Sequence, residues 1–116
     1  MTPSARSTKY LRDRGWIVCR VEQTLHMPGK PWGNKKDAFG FGDLLAARPG
    51  PEIQQAMIAL VQVTSTGNLM ARWKKIAAEP LAQKWKEAGG NILLHGWSKR
   101  GPRGKRKVWT LREEIL

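Results

Sequence analysis

Residues 57–65 read Met-Ile-Ala-Leu-Val-Gln-Val-Thr-Ser, and this stretch decides the fold. It is almost continuously apolar up to Val63, the pattern of a central strand buried on both faces. Side chains alternate along a strand, so Gln62 and Thr64 share one face while Val61 and Val63 share the other. Thr66-Gly67 ends the strand and Asn68 is placed to cap a helix. In that helix Leu69, Trp73, Ile76 and Ala77 stand at i, i+4, i+7 and i+8, a single apolar stripe. Pro80 suits the first position of a second helical segment, with a break near Glu79. Leu81, Trp85 and Ala88 continue an apolar face until Gly89-Gly90. Asn91–Trp97 (NILLHGW) and Lys107–Leu111 (KVWTL) follow as two further strands.

Upstream, residues 1–15 predict a short helix capped by Ser4 or Ser7, with Tyr10 and Leu11 as its apolar edge and Gly15 as its stop. Trp16–Val21 is rich in β-branched and aromatic residues and predicts a strand. Residues 23–38, with Pro28, Gly29, Pro31, Gly33 and Asn34, carry loop chemistry. Phe39–Ala47 (FGFGDLLAA) predicts another strand, ended by Pro49-Gly50-Pro51. The order α-β-β-β-α-(α)-β-β, without repeat or linker, predicts one α/β domain over residues 1–116, a mixed central sheet flanked by helices.

Composition bounds the function. Of 116 residues, 21 are Lys or Arg and nine are Asp or Glu, a formal charge of +12. That excess points to a polyanionic partner, most simply nucleic acid. Hydrophobic residues at 41%, six of them Trp, supply a core and exclude wholesale disorder. No apolar run reaches the ~18 residues of a membrane span, and no apolar segment of a secretory signal stands near Met1, so a cytoplasmic protein is expected. Cys19 alone makes no internal disulfide, and with two histidines it builds no zinc finger. It reads as a small buried hydrophobe.

The acids are few enough for their positions to matter. Glu22, Asp37 and Asp43 fall within 22 residues, and Asp43 is flanked by apolar neighbours. A buried carboxylate requires hydrogen bonds, a cation or a metal. Backbone N–H groups, Arg20 or Arg72 are candidate partners. If the strand carrying Asp43 lies beside 57–65, then Asp43, Gln62 and Thr64 converge near a strand C-terminus, where ligand sites of α/β sheets form. Read blandly, Gln62 and Thr64 satisfy local backbone groups.

With Glu22, Asp37-Ala38-Phe39-Gly40-Phe41-Gly42-Asp43, Gln62-Val63-Thr64-Ser65, Asn68 and Arg72 in this order, residues 4–97 resemble the PD-(D/E)XK nuclease superfamily, specifically small archaeal-type Holliday junction resolvases and phage-type nuclease-like proteins. The resemblance implies a restriction-endonuclease-like core (α-β-β-β-α-β), here with an extra C-terminal strand. It gives Asp43 the invariant metal-binding position, Gln62 the place of the motif glutamate and Thr64 that of the motif lysine. Both of the latter depart from the pattern. An amide oxygen ligates without charge, whereas hard cations prefer carboxylates, and Thr64 cannot act as an ammonium. Glu22 and Asp37, with the Val63 carbonyl, would restore metal ligands; Lys75, Lys36 or Arg72 would supply the cation. The implied activity is Mg²⁺-dependent (or Mn²⁺-dependent) endonucleolytic hydrolysis of branched or double-stranded DNA by a homodimer in a bacterial or phage-infected cell. The other branch is a relative that has lost catalysis and kept nucleic-acid binding.

The remaining features fit a nucleic-acid partner. Six of the nine positions 99–107 are basic: Lys99, Arg100, Arg103, Lys105, Arg106 and Lys107. They read as a phosphate-contacting hairpin or as a solvated tip. Lys30, Lys35 and Lys36 would clamp DNA beside the acids, Trp32 would stack on an unpaired base, and the resemblance adds Asn68 and Arg72. Trp16, Trp73 and Trp85 read as core, Trp97 and Trp109 as packing across the last hairpin, and His95 as a structurally satisfied strand histidine.

Overall fold

The computed structural model describes residues 1–26, 28–29, 33–50 and 56–116. Met57–Ser65 (β5) is the central strand of a five-stranded sheet ordered β1-β4-β5-β6-β7. β1 is Ile17–Arg20, β4 Leu44–Arg48, β6 Asn91–Arg100 and β7 Val108–Ile115. β5 runs parallel to β6 and every other pair in this sheet is antiparallel, so the sheet is mixed. A parallel pair needs a crossover. Here it is a 3-10 turn, Thr66–Asn68, followed by helices α2 (Leu69–Ala77) and α3 (Pro80–Glu87).

The strand alternation sorts the core into two layers. Leu44, Ala46, Ala59, Val61 and Leu93 face helix α1 (Pro3–Arg12), packing with Leu11, Trp16 and Val18. Leu60, Ile92 and Leu94 face the opposite side and pack with Leu69, Ile76, Ala82 and Phe41, with Trp73 and Trp85 at the margin. One α/β domain with helices on both faces of the sheet results. Among the described residues no helix is long and apolar enough to cross a membrane.

A buried polar network fixes α1 to the last two strands. Trp97 Nε1 donates to Ser7 Oγ at 2.8 Å; His95 contacts Ser7 Oγ through Nδ1 at 2.8 Å and Glu113 Oε2 through Nε2 at 2.7 Å. Trp97 can only donate and an ionised Glu113 only accepts. A neutral His95 carrying its proton on Nε2 therefore satisfies every member. The His95 bond, ahead of other influences, holds the Glu113 carboxyl below its usual range. His95 is thus the structural histidine that its strand position suggests.

Several boundaries differ from the sequence reading. Thr2, not Ser4 or Ser7, caps α1, and Ser7 is buried in the network above. The 23–38 stretch is not simply loop, because Gln23–His26 (β2) pairs with Gly33–Lys36 (β3) as a separate two-stranded sheet. Phe39–Ala47 is not one strand. Its first residues form a tight turn, and β4 begins only at Leu44. The last hairpin is longer than expected: β6 runs on to Arg100, and β7, starting at Val108, runs on to Ile115. Asn68 occupies the N-cap of α2 without a side-chain cap bond. Cys19 is exposed, since Ile17 and Cys19 lie on a part of the sheet face that α2 and α3 do not cover.

Candidate metal centre

Three successive backbone registers bring the acids together. Gln23 pairs with Lys36 at the open end of the β2–β3 hairpin, so Glu22 and Asp37 are the next residues outward on either side. Ala38 then bridges Gly42, and the chain reverses between them with Phe39 at φ 54° and Gly40 at φ 84°. Phe41 N–H and Gly42 N–H both donate to the Ala38 carbonyl. Positive φ at two central residues is the signature of a tight hairpin turn, and Phe39 is held there against its own preference. Asp37 and Asp43 flank the bridge. Finally, Leu44 pairs with Val61, which sets Asp43 across from Gln62 on the face carrying α2 and α3.

The result is a compact carboxylate cluster. One oxygen each from Glu22, Asp37 and Asp43 lies within 4.8 Å of the others. Asp43 is buried at 6% exposure. Its Oδ2 accepts from Gln62 Nε2 at 3.0 Å and from the Val63 backbone N–H at 2.8 Å. Its backbone is fixed as well: its N–H donates to the Val61 carbonyl, and its own carbonyl accepts from Val21 and Glu22. Burial first, opposed by the Val63 bond and aided by Asp37 and then Glu22, pushes the Asp43 carboxyl up to about 7.

A basic cleft of about 730 Å³ surrounds the cluster. Arg20, Lys35 and Lys36 line it from the strands, Arg72 and Lys75 from α2, and the start of α1 closes one side. Arg20 reaches Glu22 at 3.4 Å and Lys35 reaches it at 4.0 Å.

Of the residues singled out in the sequence, Glu22, Asp37, Asp43, Gln62, Val63, Lys35, Lys36, Arg72 and Lys75 share this cleft. Thr64 does not belong to its described lining: it is buried two residues along β5. Lys99, Arg100, Arg103, Lys105, Arg106 and Lys107 are exposed on the distant β6–β7 hairpin, and Asn68 is exposed at the start of α2. Lys30 and Trp32 lie outside the described residues. Sequence reasoning offered Arg20 only as a partner for Asp43, whereas it lines the cleft and reaches Glu22. The same reasoning missed Thr2, Pro3 and Ser4, for which the sequence carries no signal.

The donor set suits a hard divalent cation. Three carboxylates offer oxygen ligands at one point, and two of them raise the proton affinity of the third, a repulsion that a cation would relieve. No protein-family model, curated protein or solved structure matches this chain.

Proposed function

We propose that this protein is a metal-dependent endodeoxyribonuclease built on a PD-(D/E)XK-like, restriction-endonuclease-like core. The observation that carries this reading is the convergence of Glu22, Asp37 and Asp43 inside a cleft whose other charged lining residues are all cations. A surface serving only to hold phosphates has no use for three clustered carboxylates. Asp43, Glu22 and Asp37 would hold Mg²⁺ or Mn²⁺. Such an ion polarises a phosphoryl oxygen and lowers the pKa of the attacking water.

The chain's own groups do the rest. Gln62 and the Val63 N–H orient the Asp43 carboxylate, so Gln62 serves as a positioning residue in the place of the motif glutamate. Arg20 and Lys35 hold Glu22 against rotation. Lys75 and Arg72, facing the cluster from α2, take the part of the absent motif lysine and offset charge developing on the phosphate. Lys75→Ala is expected to slow cleavage about 10²-fold. The log–log salt slope of binding should shift by no more than about 0.9. A single-turnover assay paired with binding in EDTA separates the two effects, and an unaltered rate would transfer the role to Arg72 or Lys36.

Each described chain carries one carboxylate cluster, and cutting two strands across a branched DNA takes two. A homodimer acting on junction or duplex DNA follows. The direct test incubates the protein with labelled four-way junction, duplex and single-stranded DNA in Mg²⁺, Mn²⁺ or EDTA. Metal-dependent products are expected on at least one substrate. Their absence on all three favours a noncatalytic nucleic-acid-binding module. That second reading has its own support: β5 carries no lysine, and Gln62 brings no charge to the cluster.

A further inference from the structure

The far end of the sheet carries a second polar recess, separate from the carboxylates. Even-numbered residues of β6 and β7 face the side of α2. Ser98 pairs with Thr110, Arg100 with Val108 and Gly96 with Arg112. Two hydroxyls thus stand opposite one another, flanked along the strands by two arginines. Thr66, at the 3-10 turn, adds a third hydroxyl, its Oγ1 donating to Ser98 Oγ at 3.2 Å. These side chains line a recess of about 290 Å³. Gly96 lets the 3-10 turn sit this close to β6: a Cβ there would come within 3.1 Å of Thr66 Cα and 2.9 Å of Leu69 Cδ1.

The recess has the chemistry of an anion seat. Arg100 Nε donates to Ser98 Oγ at 3.1 Å and Arg112 Nε to Glu114 Oε1 at 2.9 Å. Each bond uses one of five guanidinium donors, leaving the terminal fork for a phosphate. No acid is among its described lining residues; Glu114 only anchors Arg112 from beside it. The surroundings favour a chain of phosphates over a single small anion, because Arg103, Lys105, Arg106 and Lys107 continue the positive charge along the exposed tip. Its position fits as well. Gln62 is level with Leu94 and Ser98 lies four residues further along β6, roughly 13 Å along the strand at ~3.3 Å per residue, on the same sheet face as Asp43.

We propose that Arg100, Arg112, Ser98, Thr110 and Thr66 form a seat for one backbone phosphate of a bound nucleic-acid strand, away from the carboxylate cluster. The seat rests on the nucleic-acid-binding part of the proposed function and does not require cleavage. Two arginines sharing one phosphate set it apart from two independent surface charges.

The test measures binding of a labelled duplex oligonucleotide in EDTA across a KCl series. Arg100→Gln and Arg112→Gln should each make the log–log salt slope shallower by about 0.9, and the double variant by the same ~0.9, since a single phosphate is released. Thr110 Oγ1 donates to the Val108 carbonyl at 3.2 Å and turns to the phosphate when it binds, so Thr110→Val, which keeps the strand's β-branched residue and the net charge, should weaken binding about threefold to tenfold with the slope unchanged. Lys84→Gln with Lys86→Gln, on exposed positions of α3, serves as the charge-matched control. The seat is overturned if the arginine effects add, if the control matches the double variant, or if Thr110→Val binds as the wild type does. Wild-type binding with these slopes but without metal-dependent cleavage keeps the seat and removes the nuclease. No binding even at low salt removes both.

Discussion

Asp43→Ala is expected to abolish metal-dependent cleavage, a loss of at least about 10³-fold, while DNA binding in EDTA is unchanged or tighter. Two physical features separate the outcomes. Asp43 is the most buried of the three carboxylates and the one fixed from both backbone and side chain, so nothing nearby replaces its oxygen. It is also a carboxylate among the cleft's five cations, and its removal favours a polyanion. Binding that falls in parallel with cleavage would show that the cluster holds the fold rather than the reaction. Thermal unfolding of the variant decides between those cases, because loss of Asp43 also leaves the Val63 N–H and Gln62 amide without their acceptor.

The second large effect is on stability and has an unusual sign. Asp43 ionises near pH 7 in the folded chain against 3.8 for an unperturbed aspartate. Between those values the folded protein retains a proton that the unfolded chain has released. Stability falls with rising pH wherever the folded state binds more protons. The contribution of Asp43 to the stability of the metal-free protein is therefore fully present below about pH 4 and lost as pH rises through 7; three pKa units correspond to roughly 4 kcal/mol. Asp43→Asn imitates the protonated side chain, with Oδ1 still accepting from Val63 and Gln62. At pH 8 without metal it should be more stable than the wild type by about 2–4 kcal/mol. Chemical denaturation from pH 4 to 8 in EDTA measures this, and a flat wild-type profile would contradict it. Mg²⁺ should restore the wild type at pH 8 and leave the Asn variant unmoved.

The parts legible in the sequence are those that bury an apolar face. β5 announced itself because Ile58 to Val63 is apolar but for Gln62, and α2 because Leu69, Trp73 and Ile76 keep helical spacing. Pro80 and Gly89 marked the ends of α3 for steric reasons, and Gly89 indeed has φ 95°. Asp43 and Gln62 stood out for the opposite reason, as polar residues among apolar ones, and they prove to be hydrogen-bonded partners.

The parts that escaped lack such a pattern. Gln23, Thr24, Lys35 and Lys36 form strands of a hairpin outside the main sheet, and polar strands carry no alternation to read. Arg112–Glu114 extends β7 in the same silent way. Gly40 and Gly42 looked like strand glycines, whereas they belong to the turn that swings Asp37 beside Asp43. Cys19 was misjudged because strand propensity says nothing about whether a helix covers that face.

That turn also has a bearing on chain length. The three carboxylates depend on parity, since side chains alternate and a one-residue shift sends a carboxylate to the other side of its ribbon. Adding or deleting a residue between Asp37 and Asp43, or at the hairpin mouth beside Glu22, disperses the cluster without altering its composition. Growth at Pro28-Gly29, the far end of the hairpin, leaves all three registers as they are. Along this stretch, the spacing of the acids is constrained as firmly as their identity, and insertions have one place to go.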